Sequence, residues 1–200
     1  IIMKFLFDLG GVFFDWDPNF FFENIINDKS RRRFFLQNVC NDKWNLAQDK
    51  GRSIKKGELI LIRKFPQFEE EIKMYYKNHS KMFRKVFYQS VEILEELKKQ
   101  KYLCYVLSNW SNETFVGMNK KYPFLNLFDG LIISGKEKMI KPDKNIYNLA
   151  IRRFDLIPSN TIFVDDKIEN INTAKIMGFK TIHLTNPDII KNKIKKIVNL

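Results

Sequence analysis

Four short groups of polar residues each follow an apolar run, directly or after a short loop. Together they provide three carboxylates, a hydroxyl, an amide and an amine. In chain order the groups are Asp8, Ser108 with Asn109, Lys141, and Asp165 with Asp166. Ligands of an open parallel sheet bind at the carboxyl ends of its strands. If the apolar runs form parallel strands, these side chains therefore belong to one site.

This combination of side chains favours metal-assisted chemistry on phosphorus. Carboxylates gathered at one sheet edge repel each other unless a hard cation joins them, and Mg²⁺ prefers oxygen ligands. A phosphate group would complete the charge balance. A carboxylate that the metal does not fully neutralise can attack phosphorus in line, while Lys141 and the metal stabilise the equatorial oxygens. Ser108 would add a hydrogen bond to the transferring group.

From residue 89 onward, short apolar runs alternate with segments of helical periodicity. The pattern predicts strands over 102–107, 130–133, 161–164 and 180–184, with one more over 3–7, and helices over 90–101, 111–121, 143–154 and 169–177. Strands separated by helices of about 10–12 residues indicate right-handed βαβ units and a parallel sheet. The predicted fold class is therefore α/β, with a Rossmann-like parallel sheet in a three-layer core.

Residues 16–88 interrupt this alternation after the first strand. They show no strand-like pattern and are dense in aromatic residues at helical spacing, such as 20–22 and 34–35. We therefore predict a helical cap over 16–88, inserted into a catalytic core that consists of 1–15 and 89–200.

The final segment, 187–200, has an amphipathic pattern. Ile190, Ile194 and Ile197 fall on one face of a helix, with lysines around them. A helix of this kind docks on a sheet or lies on a membrane surface. We expect it to dock on the sheet.

The composition is that of a basic globular protein. The 200 residues include 35 Lys and Arg against 23 Asp and Glu, a formal charge of +12, and 44% of them are hydrophobic. This excludes an acidic or disordered tail protein, and the length allows one domain with a sizeable insertion. The cations are dispersed, and only 31–33 form a compact cluster, so we predict no nucleic-acid partner.

We also predict no membrane association and a cytoplasmic location. The apolar start of the chain is interrupted by Asp8, Asp15 and Asp17 and is far shorter than the roughly 18 residues of a spanning helix. Cys40 and Cys104 lie in unrelated sequence contexts, which is typical of a reduced protein without disulfides. The sequence makes no prediction of the oligomeric state.

Taken in order, the four polar groups resemble the motifs of a known superfamily. The chain is similar to the haloacid dehalogenase-like hydrolases in four sequential motifs: Asp8-x-Gly10-Gly11-Val12, Leu107-Ser108-Asn109, Lys141-Pro142-Asp143 with Ile146-Tyr147 following, and Phe163-Val164-Asp165-Asp166-x-x-x-Asn170. The similarity covers residues 3–15 and about 90–186, and 16–88 lies where that family inserts its first-type helical cap. Within the superfamily, the chain resembles the small bacterial sugar-phosphate phosphatases, including a glucose-1-phosphate phosphatase.

The resemblance implies a role for each motif residue. Asp8 would be the nucleophile that forms an aspartyl-phosphate, while Ser108, Asn109 and Lys141 would hold the phosphoryl group and neutralise its charge. The implied Mg²⁺ ligands are Asp8, the carbonyl of Gly10, Asp166, and Asp165 directly or through water. Without the resemblance, Ser108 or Asn109 would more often cap a helix, and Lys141 would more often lie at the surface.

The sequence departs from the phosphatase pattern at position 10, where Gly10 replaces an Asp. In the family, that Asp is the general acid toward the leaving group and the general base toward water. General acid catalysis contributes about 10²–10⁴-fold, so slow hydrolysis of alkyl phosphates is expected unless another group substitutes. Asp15 is one candidate, although a loop or helix-cap role fits it equally well. Sugar-1-phosphates, which have a better leaving group, would be less affected.

Two alternatives to a sugar-phosphate phosphatase stay open. A 2-haloacid dehalogenase would also lack the second Asp, but halide displacement does not need a metal-binding pair such as Asp165 and Asp166. Its halide cradle also needs an Arg soon after the nucleophile, and the first one here is Arg31. A catalytically weak member that binds a phosphorylated ligand would also explain Gly10.

Gly51 and Arg52 are the candidate substrate-binding residues of the predicted cap. They lie in 49–53, which resembles the short glycine-bearing turn that such caps lower over the site. Arg52 would there meet a hydroxyl or a second phosphate of a small phosphorylated metabolite. A surface turn is the simpler interpretation of the same residues.

Overall fold

A five-stranded parallel sheet forms the centre of the computed structural model, which describes residues 3–198. The sheet order is β5-β4-β1-β6-β7, and β2 pairs with β3 in a separate antiparallel ribbon. The strands are β1 Lys4–Phe7, β2 Phe14–Trp16, β3 Phe83–Val86, β4 Leu103–Ser108, β5 Gly130–Ile133, β6 Thr161–Asp165 and β7 Lys180–His183. The predicted parallel sheet is confirmed.

Twelve α-helices are found among the described residues. They are α1 Asn19–Phe22, α2 Lys29–Phe34, α3 Asp42–Asp49, α4 Ile54–Lys64, α5 Glu69–Lys77, α6 Tyr88–Lys99, α7 Asn112–Phe115, α8 Met118–Lys121, α9 Ser134–Glu137, α10 Lys144–Arg153, α11 Ile168–Ile176 and α12 Ile190–Lys195. A π-helical turn over Phe35–Val39 follows α2. None of the helices over residues 3–198 is both long and apolar enough to cross a membrane.

Helices cover both faces of the sheet, which confirms the α/β three-layer core. Successive side chains of a strand point to opposite faces, and β1 divides accordingly. Phe5 and Phe7 join the hydrophobic cluster that includes α6 and α12, whereas Leu6 joins the cluster that includes α10 and α11. Both faces of β1 are therefore buried, as the uninterrupted apolar runs predict.

The segment between β2 and β3 consists of α1–α5 and short turns, and it has a hydrophobic cluster of its own. Phe22, Phe35, Trp44, Ile72 and Tyr75 lie in that cluster, which includes no residue of the parallel sheet. The aromatic residues of this segment therefore pack against each other. The domain boundaries at 16 and 88 stay a prediction.

The ribbon of β2 and β3 is a feature that the sequence pattern did not predict. β2 has only three residues. In β3 burial does not alternate along the strand: the first and last residues, Phe83 and Val86, are half-buried and the two between them are exposed. The two strands form the two connections between the sheet and the helical segment. Residues 83–86 are therefore an exception to the helices predicted for 16–88.

Two further details correct the predicted elements. The helix predicted over 111–121 is divided into α7 and α8, because Gly117 has a φ of +83° that stops an α-helix. The helix predicted over 187–200 is shorter and ends at Lys195. Ile197 is consequently 41% exposed, and Val198 is buried instead. Residues 199 and 200 lie outside the described residues.

A pair of isoleucine substitutions tests how α12 docks. Ile194 is fully buried in the cluster beside the sheet, so Ile194→Ala should lower the free energy of unfolding by about 2–5 kcal/mol. Ile197→Ala is the matched control and should change it by less than about 0.5 kcal/mol. Urea denaturation measures both, and equal losses would contradict the docking described here.

Candidate active site

The sheet register brings the ends of three strands together. β1 lies between β4 and β6, with Phe7 opposite Val106 on one side and Val164 on the other. Asp8 directly follows β1, and its amide donates to the Val164 carbonyl at 2.9 Å. Ser108 is the last residue of β4, and Asp165 is the last of β6. The expectation that these groups converge on one edge is confirmed.

Lys141 lies between two of the carboxylates and is buried. Its Nζ is 2.6 Å from Oδ2 of Asp165 and 3.0 Å from Oδ2 of Asp8. Burial alone would lower the pKa of Lys141, but Asp165 and Asp8 raise it above its usual value. The ammonium therefore stays charged and joins the two carboxylates. The alternative of a surface lysine is wrong, since Lys141 is 1% exposed.

Asn109 holds the backbone of Lys141. Its Nδ2 donates to the Lys141 carbonyl at 2.9 Å, and its Oδ1 accepts from the Lys141 amide at 2.8 Å. Both ends of the side-chain amide are thus occupied. Asn109 positions Lys141 in this arrangement, and a direct contact of Asn109 with a substrate stays a prediction.

Asp165 is surrounded by donors. Both of its carboxylate oxygens are 3.0 Å from Nδ2 of Asn170, and Oδ1 also accepts from the Lys167 amide at 2.8 Å. Lys141 adds the bond to Oδ2. These donors already occupy both oxygens. Asp165 is therefore better placed to orient Lys141 than to be a direct ligand of a cation. Asn170 ends the fourth motif, but it was not among the predicted site residues.

Asp166 has the opposite character, since part of it has no partner. Its Oδ1 is buried and makes no hydrogen bond within residues 3–198. Its carboxyl group lies against Gly11, where an added Cβ would come within 2.4 Å of Oδ2. A buried carboxylate oxygen without a donor is costly unless another group, such as a cation, satisfies it.

The electrostatics of the cluster also favour a cation. Burial raises the pKa of Asp8 to about 7, which Lys141 opposes and Asp165 and Asp166 reinforce. Burial and then repulsion by Asp165 raise the pKa of Asp166 to about 6. One ammonium thus compensates only part of the negative charge of three carboxylates.

The donor atoms fit a hard divalent cation such as Mg²⁺. One oxygen from each of Asp8, Asp165 and Asp166 lies within 4.8 Å of the others. Oxygen ligands suit Mg²⁺, and Gly10 lines the same cavity as Asp8 and Asp166. Of the three carboxylates, Asp166 is the best candidate for a direct metal ligand, because its buried Oδ1 has no hydrogen-bond partner among the described residues.

The Ser108 hydroxyl is the second polar atom without a partner at this edge. Its Oγ is buried and has no partner of good hydrogen-bond geometry among the described residues, although it lies close enough to Asp8 to oppose the rise in the pKa of that carboxyl group. Ser108 does not cap α7, because the N-cap residue of that helix is Ser111. The hydroxyl is therefore available to an oxygen of a bound group.

A cavity of about 450 Å³ opens beside these residues. Its lining combines the strand ends with aromatic side chains of the ribbon, Phe14, Trp16 and Phe83, and with one side of α3. The α3 residues are Asp42, Lys43, Asn45, Leu46 and Asp49. The sequence motifs do not include them, although 42, 45, 46 and 49 are spaced as one helical face.

Gly51 and Arg52 do not line this cavity. They follow α3 in a turn in which Nε of Arg52 donates to Oε1 of Gln48 at 2.5 Å. Gly51 has a φ of +99°, and a Cβ there would lie 2.9 Å from the Gly135 carbonyl. The turn therefore packs closely against the core, and a substrate contact by either residue stays a prediction.

Asp15, the candidate substitute for the missing acid, lines the cavity but is paired. Its Oδ2 is 2.7 Å from Nη2 and 2.8 Å from Nε of Arg84, across the ribbon. This ion pair occupies Oδ2 of Asp15 and directs its carboxylate to Arg84.

The family model for haloacid dehalogenase-like hydrolases matches residues 41–184, which is more than half of the chain. The chain belongs to this family. A sesquiterpene phosphatase of Aspergillus oryzae is 26% identical to it over 90% of this chain and 89% of the relative. A D-ribitol-5-phosphate phosphatase of Bacteroides thetaiotaomicron is 29% identical over 58% of this chain and 59% of the relative.

A dehalogenase is also among the relatives. A (S)-2-haloacid dehalogenase of a Pseudomonas species is 30% identical, over 48% of this chain and 42% of its own length. Proteins similar to this chain therefore include both phosphatases and a dehalogenase. Membership of the family shows that the chain is a hydrolase, but it does not identify the substrate.

Two solved structures share the fold. A HAD-like family hydrolase of Porphyromonas gingivalis has a TM-score of 0.74 at 20% identity and covers 98% of both chains. A HAD family enzyme of Bacteroides thetaiotaomicron, solved with magnesium and inorganic phosphate, has a TM-score of 0.70 at 22% identity over 91% of this chain and 93% of that one.

Two glycine substitutions test the close packing at Asp166. Gly11 has a φ of +68° and no room for a Cβ, so Gly11→Ala should destabilise the fold by roughly 1–3 kcal/mol and weaken Mg²⁺ binding. At Gly10 an added Cβ meets nothing within 4 Å, so Gly10→Ala is the matched control. Calorimetric Mg²⁺ titration and urea denaturation measure both. Equal behaviour of the two variants would contradict the assigned geometry.

Proposed function

We propose that this chain is a Mg²⁺-dependent phosphatase that hydrolyses a small phosphorylated metabolite through an aspartyl-phosphate on Asp8. One observation supports this above the others. Asp8 shares a buried ammonium, Lys141, with Asp165, beside an Asp166 oxygen that has no partner. The carboxylates, the single amine and the free hydroxyl of Ser108 suit a metal ion with a phosphoryl group better than a neutral substrate.

The same geometry disfavours a 2-haloacid dehalogenase. No arginine is among the residues that line the cavity in the described part of the chain, so no guanidinium is available there to hold a halide. The side-chain amide of Asn109, a possible second donor, is occupied at both ends by Lys141. A dehalogenase also gains nothing from the unpartnered oxygen of Asp166.

Each residue has a defined task in the proposed reaction. Asp8 attacks phosphorus, and Lys141 stabilises the charge that its carboxylate shares with the transferring group. Ser108 Oγ donates to a phosphoryl oxygen. Asn109 holds Lys141 through its backbone, and Asn170 holds Asp165. Bound Mg²⁺, with Asp8, Asp166 and the Gly10 carbonyl as its ligands, would supply Lewis-acid stabilisation of the phosphate charge.

The cavity suits a small organic phosphate, and a sugar phosphate is the favoured substrate. Its volume of about 450 Å³ is that of a small-molecule site. Asp42 and Lys43 provide hydrogen-bonding groups for hydroxyls, and aromatic rings such as Trp16 provide faces for the carbon skeleton. A sesquiterpene phosphate, as the name of the Aspergillus relative suggests, is the alternative that a substrate panel would identify.

We place this activity in a reducing, cytoplasmic compartment. Cys40 and Cys104 are free and buried. Free thiols are typical of proteins that fold without disulfides.

Hydrolysis of p-nitrophenyl phosphate tests the proposed function. Wild type should need added Mg²⁺ after treatment with a chelator, and Asp8→Asn should lower kcat by roughly 10³-fold or more because it removes the nucleophile. Asp155→Asn, on an exposed loop, is the matched control and should leave kcat unchanged. Colorimetric release of p-nitrophenol measures all three.

Other outcomes would select the alternatives. Turnover that needs neither Mg²⁺ nor Asp8 would contradict the proposal. Mg²⁺-dependent binding of inorganic phosphate without turnover would indicate a ligand-binding member, and chloride release from 2-chloropropionate would indicate a dehalogenase.

A further inference from the structure

Asp49 is a buried acid that faces the same cavity as Asp8 and Gly10. It is the last residue of α3 and is 9% exposed. Its Oδ2 accepts from Nδ2 of Asn45 at 3.2 Å, the Ser111 amide also stabilises the carboxylate, and Asp49 makes no salt bridge with any residue in 3–198. Asp49 is therefore a buried carboxyl group, held by amide donors alone, in the cavity that the nucleophile also lines.

The core holds Asp49 in this place. Its backbone carbonyl accepts from Oγ of Ser134 at 2.5 Å, and the same Oγ accepts from the Trp110 amide at 2.9 Å. Ser134 begins α9 directly after β5, and Trp110 lies two residues after β4. Two sheet strands thus fix the end of α3 against the site.

Gly10 leaves space where the family has its acid. A Cβ added at Gly10 meets nothing within 4 Å, and the residue lines the cavity together with Asp49. The position of the missing carboxyl group is therefore empty, in the cavity that Asp49 also lines. No side chain lies close enough to that Cβ to compete with a carboxyl group from α3.

We propose that Asp49 is the general acid and base of the reaction, in place of the Asp that the family has at position 10. The inference rests on the proposed phosphatase function. It assigns a catalytic role to a residue outside the four motifs, supplied by the inserted helical segment.

The proton balance of the two steps is simple. As Asp8 attacks, the bond between phosphorus and the leaving oxygen breaks, and protonated Asp49 gives its proton to that oxygen to release the alcohol. The Asp49 carboxylate then takes a proton from water as the water oxygen attacks phosphorus. The bond from phosphorus to Asp8 breaks, inorganic phosphate leaves, and Asp8 and protonated Asp49 are restored.

The environment of Asp49 supports both protonation states. Burial raises the pKa of Asp49 to about 7, Lys167 and the Ser111 amide oppose this shift, and Asp8 reinforces it. A group whose pKa is near the working pH is the most effective both as a proton donor and as a proton acceptor. Asp15 differs, since Arg84 holds its carboxylate in an ion pair.

The test compares an activated with an unactivated leaving group. Asp49→Asn should lower kcat/KM for phenyl phosphate by about 10²–10⁴-fold, because the phenoxide leaves poorly without a proton. The loss for p-nitrophenyl phosphate, whose leaving group is stable as an anion, should be less than about tenfold. Asp155→Asn again serves as the control that preserves both values.

A rescue variant separates catalysis from structure. Gly10→Asp has room at its Cβ and restores the family's acid, so in the Asp49→Asn background it should recover at least tenfold of the phenyl phosphate activity. A purely structural role of Asp49 would not respond to a carboxyl group at position 10.

The opposing results are distinct. Equal losses on both substrates, no loss on either, or no rescue by Gly10→Asp would overturn the role of Asp49 while p-nitrophenyl phosphate hydrolysis stays dependent on Asp8 and Mg²⁺. Loss of that dependence in wild type would overturn the proposed function itself.

Discussion

The ion pair of Lys141 with Asp8 and Asp165 is the interaction on which the site depends. A buried ammonium is stable only with charged partners, and removing one partner from such a pair costs about 3–5 kcal/mol. The neighbouring strands β1 and β6 supply the two carboxylates, and Asn109 and Asn170 fix the two ends of the arrangement. The site is therefore set by the sheet before any ligand binds.

One ammonium cannot balance three carboxylates, and that imbalance explains the rest of the edge. Asp166 retains a buried oxygen without a donor, and Ser108 retains a hydroxyl without an acceptor. A cation at the first and a phosphoryl oxygen at the second would satisfy both. The inserted helical segment contributes α3, which closes one side of the cavity and brings Asp49 to it.

Much of the core could be predicted from sequence, because strand ends follow from local apolar runs and parallel topology gathers them at one edge. Asp8, Ser108 and the pair of Asp165 and Asp166 follow from this rule, whereas Lys141 lies beyond α9, which follows β5. Tertiary contacts determined the remainder. The bond between Ser134 and Asp49 spans 85 residues of sequence, and no local pattern reveals such a contact or the short ribbon of β2 and β3.

Rapid chemical quench of a single turnover would detect the proposed aspartyl-phosphate on Asp8. Enzyme in excess over p-nitrophenyl phosphate is stopped with acid on the millisecond scale, and peptide mass spectrometry locates any phosphoryl group. Nucleophilic attack by Asp8 predicts a transient phosphoryl group on this residue in wild type and none in Asp8→Asn. Release of phosphate with no phosphoryl group on Asp8 at any time, or with the group on another residue, would contradict it.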